Sequence, residues 1–194
     1  DDSAAPIKDR NDNLIGVVLV LRDVTEEKEK QREIEFLSLH DHLTSLYNRR
    51  FFTRQFEKLN KQKHYPLGLM MLDVNGLKII NDAYGHQTGD EVLIKIANVF
   101  SEVIKERGIV SRIGGDEFTI IIAETSNDHM NDLKNQIIQR VEALTVKNVA
   151  LSVSVGYKIK YDQSMKNSEV FKEAENIMYR NKLIDGDSAR NRTI

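Results

Sequence analysis

The sequence predicts an α+β fold in which a central, mainly antiparallel sheet is flanked by helices and preceded by an N-terminal hairpin and a linker helix. From about residue 42 onward, predicted strands and helices follow in the order β-α-α-β-β-α-β-α. The two strands in the middle are adjacent, which favours an antiparallel hairpin within one sheet. The chain has 194 residues and is 40% hydrophobic, which suits one globular domain with a shorter segment attached.

Composition excludes several classes of site. The chain contains no cysteine, which rules out disulfides, thiolate nucleophiles and cysteine-type zinc sites. Because this usage suits a reducing compartment, we expect a cytoplasmic location. The net charge of −2 does not favour a nucleic-acid polymer as partner, and no apolar run approaches the roughly 20 residues that cross a bilayer. The chain begins with DDSAAP, so we expect it to be a piece of a longer protein that carries any membrane anchor elsewhere.

Residues 1–25 have the pattern of two strands joined by a turn. Asn11, Asp12 and Asn13 have turn chemistry, and a nearly continuous aliphatic run follows over residues 14–21. Two strands bury too little apolar surface to fold alone. We therefore expect them to be the last hairpin of a sensor domain, and the closing Asp-Val-Thr tripeptide resembles the end of a PAS domain.

Residues 26–41 predict a helix, because they are charged, lack Gly and Pro and consist mostly of helix formers. Thr25 is the predicted N-cap. The apolar residues of this segment are Ile34, Phe36, Leu37 and Leu39. So few apolar positions leave two interpretations open, a solvated linker helix or a short parallel coiled coil that passes a signal between domains.

Residues 42–194 form the compact domain. NRRFFTRQFEKLNKQ predicts an amphipathic helix, PLGLMMLDV a buried strand that ends at Asp73, and GLKIINDAYG a short helix closed by Gly85. GDEVLIKIANVFSEVIKE predicts a long helix, and GIVSRI and FTIIIAE predict two strands around a tight turn. NDHMNDLKNQIIQRVEALT predicts a helix, VALSVSVGYKI a strand and SEVFKEAENIMYRNKL the last helix.

Three carboxylates are predicted to meet at one edge of this sheet. Asp73 ends the first strand, and Asp116 and Glu117 follow two glycines in the turn RIGGDEF. If these strands are neighbours, the acids repel one another and need a positive partner. Mg²⁺ suits this need, because it binds few carboxylates and completes its shell with water and substrate phosphates. For the turn alone, an exposed Gly-Asp turn without a ligand is the alternative.

Five ordered blocks between residues 40 and 192 carry a family resemblance: DHLTSLYNRRFF, LDVNGLKIINDAYGHQTGDEVL, SRIGGDEF, LSVSVGY and EAENIMYRNK. Together they resemble the GGDEF family, the diguanylate cyclases. The resemblance implies the nucleotidyl-cyclase palm, a ferredoxin-like fold, which agrees with the predicted order of elements. It also implies the conversion of two GTP into cyclic di-GMP and two pyrophosphates, with Mg²⁺ or Mn²⁺ as cofactor and two ions in each site.

The resemblance assigns roles to the acidic residues. Asp73, Asp116 and Glu117 match metal-binding and catalytic acids of the family, and the carbonyl of Val74 matches an adjacent backbone ligand. Most relatives carry a second Asp two residues after the first ligand, where this chain has Asn75. We expect the uncharged amide to weaken the local field and to lower the catalytic rate.

A second set of matches would hold the nucleotide. Asn81 and Asp90 match the pair that hydrogen-bonds guanine, and Leu93 matches an apolar contact to the base. A carboxylate accepts both N1–H and the exocyclic amine of guanine, which adenine cannot supply, so we expect GTP as substrate. The matches at the triphosphate are the lysines Lys78 and Lys182 and the amides of Gly76 and Leu77, which open a helix.

The sequence departs from the family pattern at two further places, the inhibitory site for the product and the C-terminal motif. Lys105 and Gly108 stand where many relatives have an Arg-x-x-Asp inhibitory site for their own product, so we do not expect feedback inhibition there. The family ending Lys-x-x-Gly-Arg-Asn is altered to KLIDGDSARNR. Either Arg190 or Arg192 is then left to contact phosphate.

The symmetric product implies a two-fold homodimer in which two domains hold antiparallel nucleotides. The upstream sensor domain and the helix over residues 26–41 would decide whether the two halves meet. Three alternatives remain: a GTP-binding regulator without catalysis, a dimerising signal relay, and a cyclase with a mixed purine product. The retained signature acids argue against the first alternative, and Asp90 argues against the third.

Overall fold

The computed structural model describes residues 3–20, 23–61 and 63–191. The chain divides into two compact units, Asp1–Ser38 and Leu39–Ile194. Within the described residues, no helix combines the length and the apolar character that crossing a membrane requires.

The first unit contains the predicted hairpin. Strands β1 (Ser3–Lys8) and β2 (Leu14–Val20) pair antiparallel. The carboxylate of Asp9 organises the turn by accepting hydrogen bonds from the N–H groups of Asn11 and Asn13 at 2.8 and 2.9 Å. The strand-turn-strand prediction is confirmed, and the assignment to a PAS-like sensor domain stays a prediction.

Helix α1 covers Thr25–Leu39, close to the predicted segment. The side chain of Asp23 accepts the N–H of Thr25 at 2.9 Å, so the acceptor at the start of the helix is Asp23 and not the expected Thr25. Ile34 and Leu37 are exposed. Both interpretations of this helix, as a solvated linker or as a coiled coil, stay open.

The second unit is built on one five-stranded sheet. Its strands are β3 (Tyr47–Asn48), β4 (Leu67–Val74), β5 (Ile109–Arg112), β6 (Glu117–Ile122), β7 (Thr145–Val146), β8 (Val149–Ala150) and β9 (Val153–Lys160). The sheet has the order β3-β5-β6-β4-β9, and β7 and β8 form a separate small hairpin. Every pair in the sheet is antiparallel except β3 with β5, which confirms the predicted mainly antiparallel sheet.

Helices cover both faces of the sheet. They are α2 (Arg49–Lys61), α3 (Leu77–Tyr84), α4 (His86–Ile104), α5 (Asn127–Glu142) and α6 (Asn167–Asn191). Side chains alternate along a strand, so Met70 and Leu72 of β4 pack with α4 and α5, whereas Leu69 and Met71 pack with α2 and α6. Asp73 continues the second series and therefore faces the side of α2 and α6.

Two element boundaries differ from the prediction. The segment VALSVSVGYKI is not one strand, because Val149 and Ala150 pair with β7 in a separate hairpin and β9 begins only at Val153. The last helix continues past the predicted Leu183 to Asn191. The side chain of Arg190 and the whole of Arg192 lie outside the described residues, so the expected phosphate contact of either arginine stays a prediction.

Candidate functional site

An acidic edge forms where β4 ends beside the turn between β5 and β6. Asp73 lies opposite Glu117 in the register of β4 and β6, and the N–H of Val74 donates to the carbonyl of Asp116 at 3.0 Å. The three acids therefore lie together, because the strands are neighbours as the sequence predicts. The side chain of Asp73 is only 9% exposed, and Asp116 and Glu117 are half-buried.

The two glycines before the acids, Gly114 and Gly115, differ in the space around them. A Cβ on Gly114 would lie 2.6 Å from a carboxylate oxygen of Glu117, so a side chain there would displace the acid. A Cβ on Gly115 would meet nothing within 4 Å, and this side of the turn is open to a ligand. The turn closes through the N–H groups of Ile113 and Gly114, which donate to the carbonyl of Glu117 at 2.9 and 3.3 Å.

Burial and mutual repulsion disfavour the charged forms of these acids. Burial raises the pKa of Asp73, Lys182 opposes this shift, and the neighbouring Asp116 adds to it. Burial also raises the pKa of Glu117, and repulsion from Asp116, Asp73 and then Glu175 raises it further. An additional cation would relieve this repulsion, so the electrostatics of the edge suit a positively charged ligand.

Two basic residues act directly on the acids. The ammonium of Lys182, on α6, lies 2.6 Å from Oδ1 of Asp73. Arg49, on α2, favours the charged form of Glu117 and partly offsets the effects that raise its pKa. Lys182, which the resemblance assigns to the triphosphate, is therefore bonded to an acid of the site in this structure.

Arg112 holds the backbone of the signature turn. Its Nε and Nη2 donate to the carbonyl of Gly115 at 3.2 and 2.8 Å, and its Nη1 contacts Oδ1 of Asp41 at 3.0 Å. Burial would raise the pKa of Asp41, but hydrogen bonds from Thr44 and from Arg112 outweigh it and lower that pKa. Asp41 and Arg112 therefore form an ion pair that links the start of the domain to the turn between β5 and β6.

Replacing Arg112 with alanine is expected to lower the free energy of unfolding by about 2–3 kcal/mol, because Asp41 loses its ion partner and the Gly115 carbonyl loses both donors. Arg112→Lys keeps the charge but not the planar fork, and about 1 kcal/mol is expected to be lost. Denaturant unfolding measures both values. Arg140, whose pair with Glu102 spans 3.5 Å at 52% exposure, is the control, and Arg140→Ala should cost less than about 0.5 kcal/mol. Equal losses for the two alanine variants would contradict the role of Arg112.

Asn75 is engaged with β9 and not with the acids. Its Nδ2 donates to Oγ of Ser152 at 3.1 Å, and its Oδ1 accepts from Oγ of Ser154 at 2.9 Å. An aspartate has no donor for the first of these bonds. The amide therefore has a structural partner on each side, Ser152 just before β9 and Ser154 within it.

A complete metal site is not preformed. Across residues 3–20, 23–61 and 63–191, no group of three or more His, Cys, Asp or Glu side chains is arranged to hold a metal ion. The donor set nevertheless fits Mg²⁺ or Mn²⁺, because such ions need only one or two protein carboxylates when phosphates and water supply the rest of the shell.

The residues predicted to meet phosphates stand at the start of α3, directly after β4. Gly76 takes a φ of 71° at the N-cap, a left-handed conformation that glycine adopts without strain. Leu77 is buried, and Lys78 is exposed in the first turn of the helix. The amides and the exposed lysine thus follow Asp73 within five residues.

The residues predicted to recognise guanine lie on α3 and α4. Oδ1 of Asn81 is buried and has no hydrogen-bond partner, which is unusual for a buried acceptor. A Cβ on Gly89 would overlap this oxygen, so glycine is needed where α4 passes Asn81. Asp90 follows in an exposed position, whereas Leu93 is 4% exposed and belongs to the main core.

Sequence reasoning missed four residues that shape the site. Gly89 and Arg112 lie inside recognised blocks, where no role was assigned to them. Glu175 stands seven residues before Lys182 on α6, and this spacing of about two helical turns was the available signal. Ser154 also lies inside a recognised block, but its contact with Asn75 depends on the pairing of β9 with β4, which no local pattern shows.

Comparison with known proteins agrees with this geometry. The family profile described as "Diguanylate cyclase, GGDEF domain" matches residues 38–188. Diguanylate cyclase DgcM of Escherichia coli (strain K12) is 30% identical over 196 residues, which cover 98% of this chain and 46% of the relative. Signaling protein YkoW of Bacillus subtilis (strain 168) is 33% identical over 177 residues, 87% of this chain and 22% of the relative. The chain spans less than half the length of these relatives.

Solved structures show the same architecture. The GGDEF domain of DgcB from Caulobacter crescentus, solved in complex with c-di-GMP, superposes with a TM-score of 0.70 at 26% identity and covers 74% of this chain and 90% of that one. The predicted palm with its central sheet and flanking helices is therefore confirmed at the level of the fold.

Proposed function

The chain belongs to the GGDEF family of diguanylate cyclase domains, and we propose that it condenses two molecules of GTP into cyclic di-GMP and releases two molecules of pyrophosphate. The observation that carries this proposal is the convergence of Asp73, Asp116 and Glu117 at one edge of the sheet. The negative charge of these three acids suits a cation. The N–H groups and the exposed lysine at the start of α3 follow Asp73 closely in the sequence. A nucleoside triphosphate with a divalent ion matches both features.

Each phosphodiester bond forms when the 3′-hydroxyl of one GTP attacks the α-phosphorus of the other, and the bond from that phosphorus to pyrophosphate breaks. Mg²⁺ or Mn²⁺, held by Asp73, Asp116 and the carbonyl of Val74, would supply positive charge to the phosphates and acidify the hydroxyl. Glu117 would complete this donor set and accept the hydroxyl proton.

The phosphates would be held at the start of α3. The N–H groups of Gly76 and Leu77 open the helix, where the helix dipole favours negative charge. The exposed ammonium of Lys78 would add a mobile positive charge there. These groups would offset the charge that develops on the leaving pyrophosphate.

The base would be read by Asn81 and Asp90. The buried Oδ1 of Asn81 lacks a donor in the structure, and guanine supplies N–H groups on its Watson–Crick edge and a 2-amino group. Asp90 is exposed, so its carboxylate remains available to the same edge. Adenine would leave these acceptors unpaired, which predicts strong selection for GTP. An apolar contact of Leu93 with the base stays a proposal, because that side chain is packed in the core.

Replacing Gly89 with alanine is expected to raise the KM for GTP by about tenfold or more, with little loss of stability. The added Cβ would overlap Oδ1 of Asn81, and the amide at the end of that side chain would turn away from the base. A lost hydrogen bond of a buried group is worth about 1–3 kcal/mol. The helix itself gains from the substitution, because alanine is the better helix former. Initial rates with GTP and thermal unfolding measure the two effects.

The matched control for this prediction is a double-mutant cycle with Asn81→Ala. If the overlap acts through Asn81, the Gly89→Ala substitution should have little further effect on KM in the Asn81→Ala background. Additive effects of the two substitutions would show that Gly89 acts by another route.

We extend the proposal to the assembly and the location of the domain. A cyclic product with two equivalent bonds requires two half-sites that face each other, so the active form would be a two-fold homodimer. An upstream sensor domain in the same protein would control the meeting of the two halves. GTP as substrate points to the cytoplasm.

The decisive experiment incubates the purified chain, at high and low concentration, with GTP and Mg²⁺ and identifies the products by mass spectrometry. The control is the double variant Asp116→Ala, Glu117→Ala. Cyclic di-GMP from the parent chain alone would establish the activity and the part of the signature turn in it. GTP binding without any product would instead favour a regulatory GTP-binding domain.

A further inference from the structure

The contact between Lys182 and Asp73 ties a flexible cation to the most buried acid of the site. Nζ of Lys182 lies 2.6 Å from Oδ1 of Asp73, and the two side chains are 38% and 9% exposed. The ammonium therefore sits at the boundary between the buried carboxylate and solvent. Its stem leaves it free to turn outward without any change in the fold.

The helix that carries Lys182 is fixed, so the placement of the ammonium follows from the packing. Nδ2 of Asn181, the preceding residue, donates to the carbonyl of Val155 on β9 at 2.8 Å. Further back, a Cβ on Gly156 would overlap the backbone of Met178, which shows how closely α6 lies on the sheet. Only the side chain of Lys182 has to move for Asp73 to become available.

The contact between Lys182 and Asp73 brings a positive charge next to two neighbouring carboxylates. Asp73 is buried and lies beside Asp116, and the ammonium of Lys182 supplies a positive charge at 2.6 Å from its Oδ1. An ammonium is a compact point charge with one positive unit. It can stand near one carboxylate in place of a metal ion, but it cannot gather several oxygens as Mg²⁺ does.

We propose that Lys182 is a placeholder cation, which occupies Asp73 while the site is empty and moves to the phosphates when a metal–nucleotide complex binds. The inference rests on the proposed function and deepens it. A metal ion that arrives alone must displace the ammonium from Asp73 and leave a positive charge beside itself. An ion that arrives with a triphosphate brings the anion to which the ammonium can move, so metal and nucleotide bind cooperatively.

The test measures binding of Mn²⁺ alone and of a non-hydrolysable GTP analogue with Mn²⁺, by calorimetry on the full chain. In Lys182→Met, which keeps the apolar stem but not the charge, Mn²⁺ alone is expected to bind about tenfold more tightly, and the analogue about tenfold more weakly. The ratio of the affinity for the analogue with Mn²⁺ to the affinity for Mn²⁺ alone then falls by about 100-fold. A variant that loses a phosphate ligand and nothing else would not gain affinity for the metal.

The matched control is Lys78→Met. Lys78 is also expected at the triphosphate, but it is exposed and is not bonded to Asp73 in the described structure. This variant should bind the analogue more weakly and Mn²⁺ alone with unchanged affinity. Lys182→Gln provides a second uncharged variant, and circular dichroism confirms that each protein is folded.

The outcomes separate the inference from the proposed function. A gain in Mn²⁺ affinity in both Lys182 variants supports the placeholder role even if the chain forms no cyclic di-GMP, because the measurement needs no turnover. Unchanged or weaker binding of Mn²⁺ alone overturns the placeholder role even in an active cyclase. Absence of Mn²⁺ binding by the parent chain and by both variants, with and without the analogue, overturns it together with the proposed metal dependence.

Discussion

Replacing Glu117 with glutamine is expected to lower the rate of cyclic di-GMP formation by about 10³-fold. Glutamine keeps the size of the side chain but loses both the charge that a metal ion needs and the proton affinity of a base. The rate at saturating GTP and Mg²⁺ measures the effect. The control is Glu142→Gln, the same substitution at an exposed position of α5, and its rate should equal that of the parent chain. A Glu117→Gln chain with more than about one tenth of the parent rate would remove Glu117 from the chemistry.

The same substitution is expected to stabilise the metal-free chain at neutral pH. Burial and acidic neighbours raise the pKa of Glu117 in the folded state, above the ordinary value of about 4.3. Between these two pKa values the folded chain binds a proton that the unfolded chain has released, so the stability of the parent falls as pH rises through this window. Glutamine does not ionise. The Glu117→Gln chain is therefore more stable than the parent at pH values above both pKa values of Glu117, and this difference vanishes at pH values below both.

Thermal unfolding in the presence of a chelator measures this stabilisation. Because Glu117 is only half-buried, the effect is expected to be on the order of 0.5 kcal/mol, which is about 1–2 °C for a chain of this size. Addition of Mn²⁺ with a GTP analogue should make the parent chain more stable than the Glu117→Gln chain, because the parent then gains a bound cation. A variant that is less stable than the parent at pH 8 without metal would contradict the electrostatic account of the site.

Diluting the chain is expected to lower the rate per molecule about tenfold for each tenfold dilution below the dissociation constant of the dimer. One domain offers one acidic edge and one proposed guanine site, whereas each molecule of cyclic product would need two nucleotides that attack each other in a two-fold arrangement. Only dimers would form product, and their fraction falls in proportion to concentration when dimers are rare. Product formation at saturating GTP, with sedimentation at the same concentrations, measures both quantities.

Mixing the parent chain with excess Glu117→Gln chain provides the control for this prediction. Most parent chains then lie in mixed dimers, in which one of the two half-sites forms its bond. A linear dinucleotide that retains a triphosphate should accumulate in place of the cyclic product. A rate per molecule that stays constant on dilution, in a chain that sediments as a monomer, would contradict the two-fold mechanism.

The order of elements and the acidic edge were within reach of the sequence, because both depend on local patterns. Apolar runs such as LGLMMLDV and amphipathic periods such as that of α4 identify strands and helices by themselves. Once β4 and β6 pair antiparallel, the end of β4 meets the start of β6, and Asp73 lies opposite Glu117. The ordered blocks of the family indicated metal ions and GTP phosphates as partners of these acids only through a resemblance, and the roles of the acids remain the proposals made above.

Only the tertiary structure decided which partners the site residues have. Asp41 pairs with Arg112, 71 positions away, and Asp73 pairs with Lys182, 109 positions away. Asn75 bonds Ser154, and Gly89 makes room for Asn81. These contacts depend on the order of the strands in the sheet, on how closely α6 packs on the sheet and on how closely α4 packs against α3. The local pattern of apolar residues in the sequence does not encode such distances. The local sequence therefore determines which chemical groups are present and on which helices and strands they lie. Long-range packing determines which of these groups form ion pairs and hydrogen bonds with each other.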